Sequence, residues 1–129
     1  MASEGRSQVA EIKSYRDLLV WQKAMDLVTE VYRVTKEFPK EERFGLTEQI
    51  RRAAVSLPAN IAEGQGRRHR REFRNFLSIA LGSLAELETH LEIARRLGYL
   101  TLEAYEALLC QTQELGRMVN GLLRSLPPN

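Results

Sequence analysis

An all-α, antiparallel up-down-up-down four-helix bundle is the fold this sequence predicts, and three features predict it. Four stretches repeat apolar residues at alternating three- and four-residue steps, the spacing that lines one face of an α-helix. Proline or glycine punctuates each link between them, at Phe38-Pro39, Gly64-Gln65-Gly66 and Gly98. A chain of 129 residues has room for a single core, and its 7% aromatic content is low for a β-sandwich. Links this short make successive helices antiparallel neighbours, packed at about 20°. The four segments share no self-similar motif, which argues against a repeat array.

Residues 1–13 mix Ser, Gly, Gln and charges without periodicity and are expected to form a loose tail. The bundle domain is expected over 14–126, followed by a short tail over 127–129. Ser14 and Asp17 stand at capping-box spacing, so the first helix should begin beside them. Its apolar residues fall on two lines, Leu18, Trp21, Met25, Val28, Tyr32 and Val20, Ala24, Leu27, Val31, Val34. One stripe builds the subunit interior. The second either widens that stripe or meets another copy of the chain, and the second reading predicts an oligomer. Phe38-Pro39 ends the helix, because the residue before proline is driven from the α region.

The second pattern, Leu46, Ile50, Ala53, Leu57, Ile61, contains Pro58, which removes the bond to the Ala54 carbonyl. It predicts a kinked helix ending near Gly64, with glycine in the left-handed conformation as the stop. The third runs Phe73, Leu77, Ala80, Leu84, Leu87, Leu91, Ala94 without a break, and Gly98 ends it. Thr101 offers a cap to the fourth, where Tyr105, Leu108, Thr112, Leu115, Val119, Leu122 and Leu126 continue the rhythm to Pro127-Pro128.

Composition excludes several kinds of chemistry. No segment approaches the ~20 apolar residues of a membrane span. A lone cysteine, Cys110, and an N-terminus without an apolar run point to a cytoplasmic protein with no membrane association. Cys110 follows Leu108 and Leu109 in a helical run, where a buried, inert thiol is expected. A di-metal bundle site needs two Glu-x-x-His pairs, and the only histidines are His69 and His90. Glu86 precedes His90 by four residues and is read as a solvated pair beside the leucine seam. No nucleophile–base arrangement, phosphate loop or CxxC pair occurs. The residues therefore predict no catalytic site, no metal and no cofactor.

The 19 basic residues nearly balance 17 acidic ones, for a net charge of +2, so only their distribution is informative. Residues 67–74, Arg67-Arg68-His69-Arg70-Arg71-Glu72-Phe73-Arg74, set five arginines against one glutamate where the third helix should begin. Cations at a helix N-terminus oppose its partial positive charge, at a cost of roughly 0.3–1 kcal/mol each. Free backbone donors and clustered guanidiniums suit phosphate instead. Arg51 and Arg52 extend the candidate surface, and Lys23, Arg33 and Lys36 stand in reach on the first helix. The alternative is a solvated rim paired with Glu63, Glu72 or an acidic neighbouring chain. The stretch lacks interleaved aromatics for stacking bases. Repetition of the patch around an oligomer would favour polyanion binding, since linked weak contacts bind tightly together.

Three stretches in order, Asp17-Leu18-Leu19-Val20-Trp21-Gln22-Lys23-Ala24, Ser56-Leu57-Pro58-Ala59-Asn60-Ile61-Ala62-Glu63-Gly64 and Phe76 to Thr89, with Leu97-Gly98-Tyr99-Leu100 after them, carry a family resemblance. Over residues 15 to 125 the chain resembles the four-helix bundle proteins encoded within intervening sequences of bacterial 23S ribosomal RNA genes. The resemblance implies a ring-like homopentamer that binds nucleic acid and has no assigned catalysis. Related bundles are accessory subunits of diversity-generating retroelements, in which a basic pentamer partners a reverse transcriptase and its RNA.

These readings predict a non-enzymatic homo-oligomeric scaffold binding nucleic acid, RNA rather than DNA, through Arg51, Arg52, Arg67, Arg68, His69, Arg70, Arg71 and Arg74. The alternative is an adaptor that recruits a protein such as a reverse transcriptase. Ser56, Asn60 and Glu63 are expected to satisfy backbone groups near Pro58. Gly82 and Ser83 are expected to admit a neighbouring helix. His69 stands where relatives carry a small cap, which weakens the start of the third helix.

Overall fold

A computed structural model of the chain describes residues 13–127. The tails expected over 1–13 and 127–129 lie outside the described residues, apart from Lys13 and Pro127. Four α-helices follow one another: α1 (Leu19–Thr35), α2 (Leu46–Gln65), α3 (Arg70–Arg96) and α4 (Leu102–Ser125). Each packs on two others, so that α1, α2, α3 and α4 run in order around the bundle with no contact across either diagonal. None of the described helices is long and apolar enough to cross a membrane.

Residues at helical spacing fill the interior. Ala24, Leu27 and Val31 of α1 meet Ile50, Leu57 and Ile61 of α2, Leu77, Leu87 and Leu91 of α3, and Leu108, Leu115 and Val119 of α4. Burying each large aliphatic side chain contributes roughly 1.5–3 kcal/mol. Thr112 is buried among them because its hydroxyl donates to the Leu108 carbonyl at 2.7 Å, which leaves no bare donor. Of the two apolar lines on α1, the Val20 line faces this core. On the other, Leu18, Trp21 and Val28 are half-buried against the same core and widen the stripe, while Met25 and Tyr32 are each 40% exposed.

The α1 start differs from the sequence expectation. Ser14 and Asp17 do form a capping box, with the Arg16 amide donating to Ser14 Oγ at 3.1 Å. The box closes only a 3-10 turn over Tyr15–Asp17, because Leu18 is extended (φ −78°, ψ 126°), and α1 begins at Leu19 without a side-chain cap. Between α1 and α2 a second 3-10 turn, Lys40–Glu42, turns the Glu42 carboxylate back to accept the Leu46 amide at 3.0 Å.

α2 continues through Pro58 to Gln65. Ser56 Oγ donates to the Ala53 carbonyl and Asn60 Nδ2 to the Ser56 carbonyl, both at 2.7 Å, so these side chains serve carbonyls on either side of Ala54 rather than Ala54 itself. Glu63 instead pairs with Arg67. The expected left-handed stop at Gly64-Gln65-Gly66 is also corrected: Gly66 caps α2 with right-handed angles (φ −75°, ψ −10°). Gly64 is glycine for a different reason. A Cβ there would stand 2.7 Å from Phe76 Cβ and 3.0 Å from Phe73 Cδ1, so its absence lets α2 and α3 close together.

Gly98 behaves as the sequence predicts. At φ 82° it ends α3, with the Tyr99 amide donating to the Ala94 carbonyl at 2.9 Å and the Gly98 amide to the Arg95 carbonyl at 3.0 Å, the paired bonds of a Schellman motif. Tyr99 then joins the two links at this end of the bundle. Its ring packs on Phe38 at 5.4 Å, and its hydroxyl donates to Glu42 Oε2 at 2.9 Å.

Two further expectations fail on helical geometry. Cys110 is exposed, since two residues beyond buried Leu108 the helix has turned about 200° from the core. Gly82 faces open space with no atom within 4 Å of a would-be Cβ, so within the subunit it admits no helix.

Candidate nucleic-acid interface

The corner between α2 and α3 assembles most of the predicted cations. His69 is the N-cap of α3 in extended conformation (φ −110°, ψ 136°), and its side chain makes no capping bond. The Phe73 amide reaches the His69 carbonyl at 3.1 Å. The preceding amides, of Arg70, Arg71 and Glu72, have no acceptor among the described residues. Three backbone donors therefore point outward at the positive end of a 27-residue helix. Arg68, His69, Arg70 and Arg71 are all exposed around them and, with Glu72, line a surface concavity of about 630 Å³.

The remaining predicted residues are placed differently. Arg67 is partly neutralised by Glu63 at 2.8 Å, and its guanidinium lies over the Phe76 ring at 5.2 Å. Arg74 is turned away from the corner: its Nη1 donates to the carbonyls of Leu123 and Leu126 at 2.7 and 2.9 Å, closing the C-terminal end of α4. A cation there suits the helix dipole as well as the unpaired carbonyls. Sequence spacing gave no sign of this, because the partners lie 49 and 52 residues away.

Arg51 and Arg52 belong to a second surface, separated from the corner by roughly 20 Å of α2. Arg51 donates through Nε to Thr35 Oγ1 at 2.9 Å and lies 4.5 Å over the Tyr32 ring. Arg52 reaches Glu48 at 3.4 Å. With Arg43, Phe44, Thr47 and Val55 these residues line a groove of about 410 Å³ between α1 and α2. Arg43 and Phe44 were missed by sequence reasoning. The signal was an aromatic residue in a polar link, and Phe44 is the most exposed large apolar side chain among the described residues, at 79%.

On the opposite side, α3 and α4 form another groove, of about 620 Å³, lined in part by Ala85, Glu88, Glu92, Ile93 and Leu109. Here Glu92 accepts from Arg95, Arg96 and the Tyr105 hydroxyl, the last at 2.7 Å. The Arg95 guanidinium first, then Arg96 and Tyr105, hold its carboxyl down at about 2. Glu86 is exposed, while His90 Nδ1 is buried without a hydrogen-bond partner among the described residues, so the expected solvated pair does not form.

The sequence profile of the 23S rRNA-intervening sequence protein family matches residues 16–121. No curated protein matches the chain. Among solved structures, the chain is similar to a protein of unknown function from the S23 ribosomal protein family of Bacteroides thetaiotaomicron. The two are 28% identical, the match covers 81% of this chain and 98% of that one, and the TM-score is 0.76.

Proposed function

The chain belongs to the 23S rRNA-intervening sequence protein family, and from that premise we propose that it is a non-enzymatic, homo-oligomeric scaffold that binds nucleic acid, RNA in preference to DNA, through the corner at the start of α3. The observation that carries the reading is the coincidence of three unpartnered amides with four exposed cationic or imidazole side chains, Arg68 to Arg71. Phosphate is the ligand chemistry that uses both, because arginine grips it through two parallel hydrogen bonds while the backbone amides donate to its remaining oxygens. Self-assembly is supported by the partial exposure of Met25 and Tyr32 on α1 and by exposed Leu19 at the start of that helix. Several corners on one assembly would bind a long polyanion far more tightly than a single corner.

The test is replacement of Arg67, Arg68, Arg70 and Arg71 together by alanine, with binding to several unrelated RNA oligonucleotides followed by fluorescence anisotropy across a salt series. Affinity should fall alike for all sequences. The slope of log affinity against log salt should flatten by about 3, at roughly 0.7 per lost single-strand phosphate contact. An unchanged slope would remove the corner from the interface. Absence of binding to any polynucleotide at low salt, together with capture of a reverse transcriptase, would replace the scaffold by the adaptor reading.

A further inference from the structure

We propose that copies of the chain join head to tail, with the α1/α2 groove of one seated on the α3/α4 groove of the next and Phe44 as the inserted knob. The proposal rests on the homo-oligomeric reading above and specifies which surfaces meet. The two grooves share no helix and lie on opposite sides of the bundle, so the contact is heterologous.

Both grooves carry exposed apolar side chains. Phe44 projects at 79% exposed, with Val55 at 42% beside it. Across the bundle, Ile93 is 41% exposed in a groove that also holds Ala85 and Leu109. Pairing two α1/α2 grooves with each other is disfavoured, because Arg43 and Arg51, neither with a carboxylate partner among the described residues, would face their own copies. The α3/α4 groove instead supplies Glu88, which makes no ion pair among the described residues, and its one lining arginine, Arg96, is held by Glu92.

The heights also agree. Gly64 of α2 lies against Phe76 of α3, and Glu42 bonds Tyr99 at the other end, which fixes the level of one antiparallel helix against the other. Counting outward from the first tie, Val55 and Ala85 each stand nine residues away, and Arg52 and Glu88 twelve. Phe44, just before α2, stands twenty residues out, level with Arg96 at the end of α3 and about one turn beyond Ile93. A rotation about an axis parallel to the bundle preserves height. It therefore brings Val55 to Ala85, Arg52 to Glu88 and Phe44 to Ile93 across a subunit boundary.

Sedimentation of the full chain tests this. The wild type should assemble, and Phe44→Glu and Ile93→Glu should each weaken association at least a hundredfold while leaving the circular-dichroism melt in place, since both side chains point outward. Mixed together, the two variants should form a 1:1 dimer and nothing larger, because each supplies the surface the other lacks. As a second check, Arg52→Glu or Glu88→Arg alone should weaken assembly tenfold or more, and the double substitution should restore it. A wild type that stays monomeric at every concentration would overturn the oligomeric reading itself. Assembly by both Phe44→Glu and Ile93→Glu as in the wild type, or a mixture that fails to pair, would overturn this interface and leave that reading standing. Intact assembly of Phe44→Glu with loss of binding to a single-stranded oligonucleotide would give the groove to a polynucleotide instead.

Discussion

Gly64 shows how much a single absent methyl group decides. Alanine is about 1 kcal/mol better than glycine inside a helix, so propensity alone would favour Gly64→Ala. The 2.7 Å approach of Phe76 opposes it with overpacking of about 1–3 kcal/mol, and Phe73 crowds the same position at 3.0 Å. The difference, about 0–2 kcal/mol, is the loss of stability we expect for Gly64→Ala in urea denaturation. A gain instead would mean that the two phenylalanines yield easily. Glu92 offers a prediction of the opposite kind, in charge rather than volume. Its carboxyl titrates at about 2 in the folded chain against 4.5 ordinarily, so its contribution is fully present above about 4.5 and is lost as pH falls toward 2. Glu92→Gln should melt at a lower temperature than the wild type at pH 7, and the gap should close between pH 4.5 and 2. A gap independent of pH would assign the loss to packing.

Among the helices, the interior stripes were legible because an α-helix returns a residue to the same face after three or four positions, and nothing in the bundle overrides that count. The same rule placed Cys110 outside, although its apolar neighbours in sequence pointed inward. Ends were harder to read. The Ser14 box was recognisable, yet a single extended residue, Leu18, spent it on a 3-10 turn. The glycines after Ile61 resembled a left-handed stop, whereas the close approach of α3 is what requires Gly64. Arg74 was indistinguishable from its neighbours in a run of cations, because only the folded chain brings the last turn of α4 to it. It follows that Arg74→Ala should act on an element rather than on a ligand. Hydrogen bonds from a charged donor contribute about 1.5–3 kcal/mol, less when partly solvated. Accordingly, this variant should lose about 1 kcal/mol, with faster amide exchange at Leu126, while keeping more RNA affinity than the fourfold arginine variant. Equal loss of binding would return Arg74 to the interface.

At the scale of the whole molecule, topology followed from link length, and the candidate interface was legible as a charge run but not as a shape. The sequence placed eight residues on one surface. In the folded chain they divide among a corner, a groove and a clasp, because roughly 20 Å of α2 separates what composition alone brings together. Width of the α1 stripe was readable and its purpose was not, since a periodic pattern carries no distinction between interior and subunit boundary. The order of packing around the bundle has a last consequence, for time. Three of the four helix pairs join neighbours along the chain, across links of ten, four and five residues, so most of the structure can be won by short loop closures. Only the seam of α1 with α4 must wait for the entire chain to come round, which sets this molecule among the rapid folders and makes that seam its final clasp.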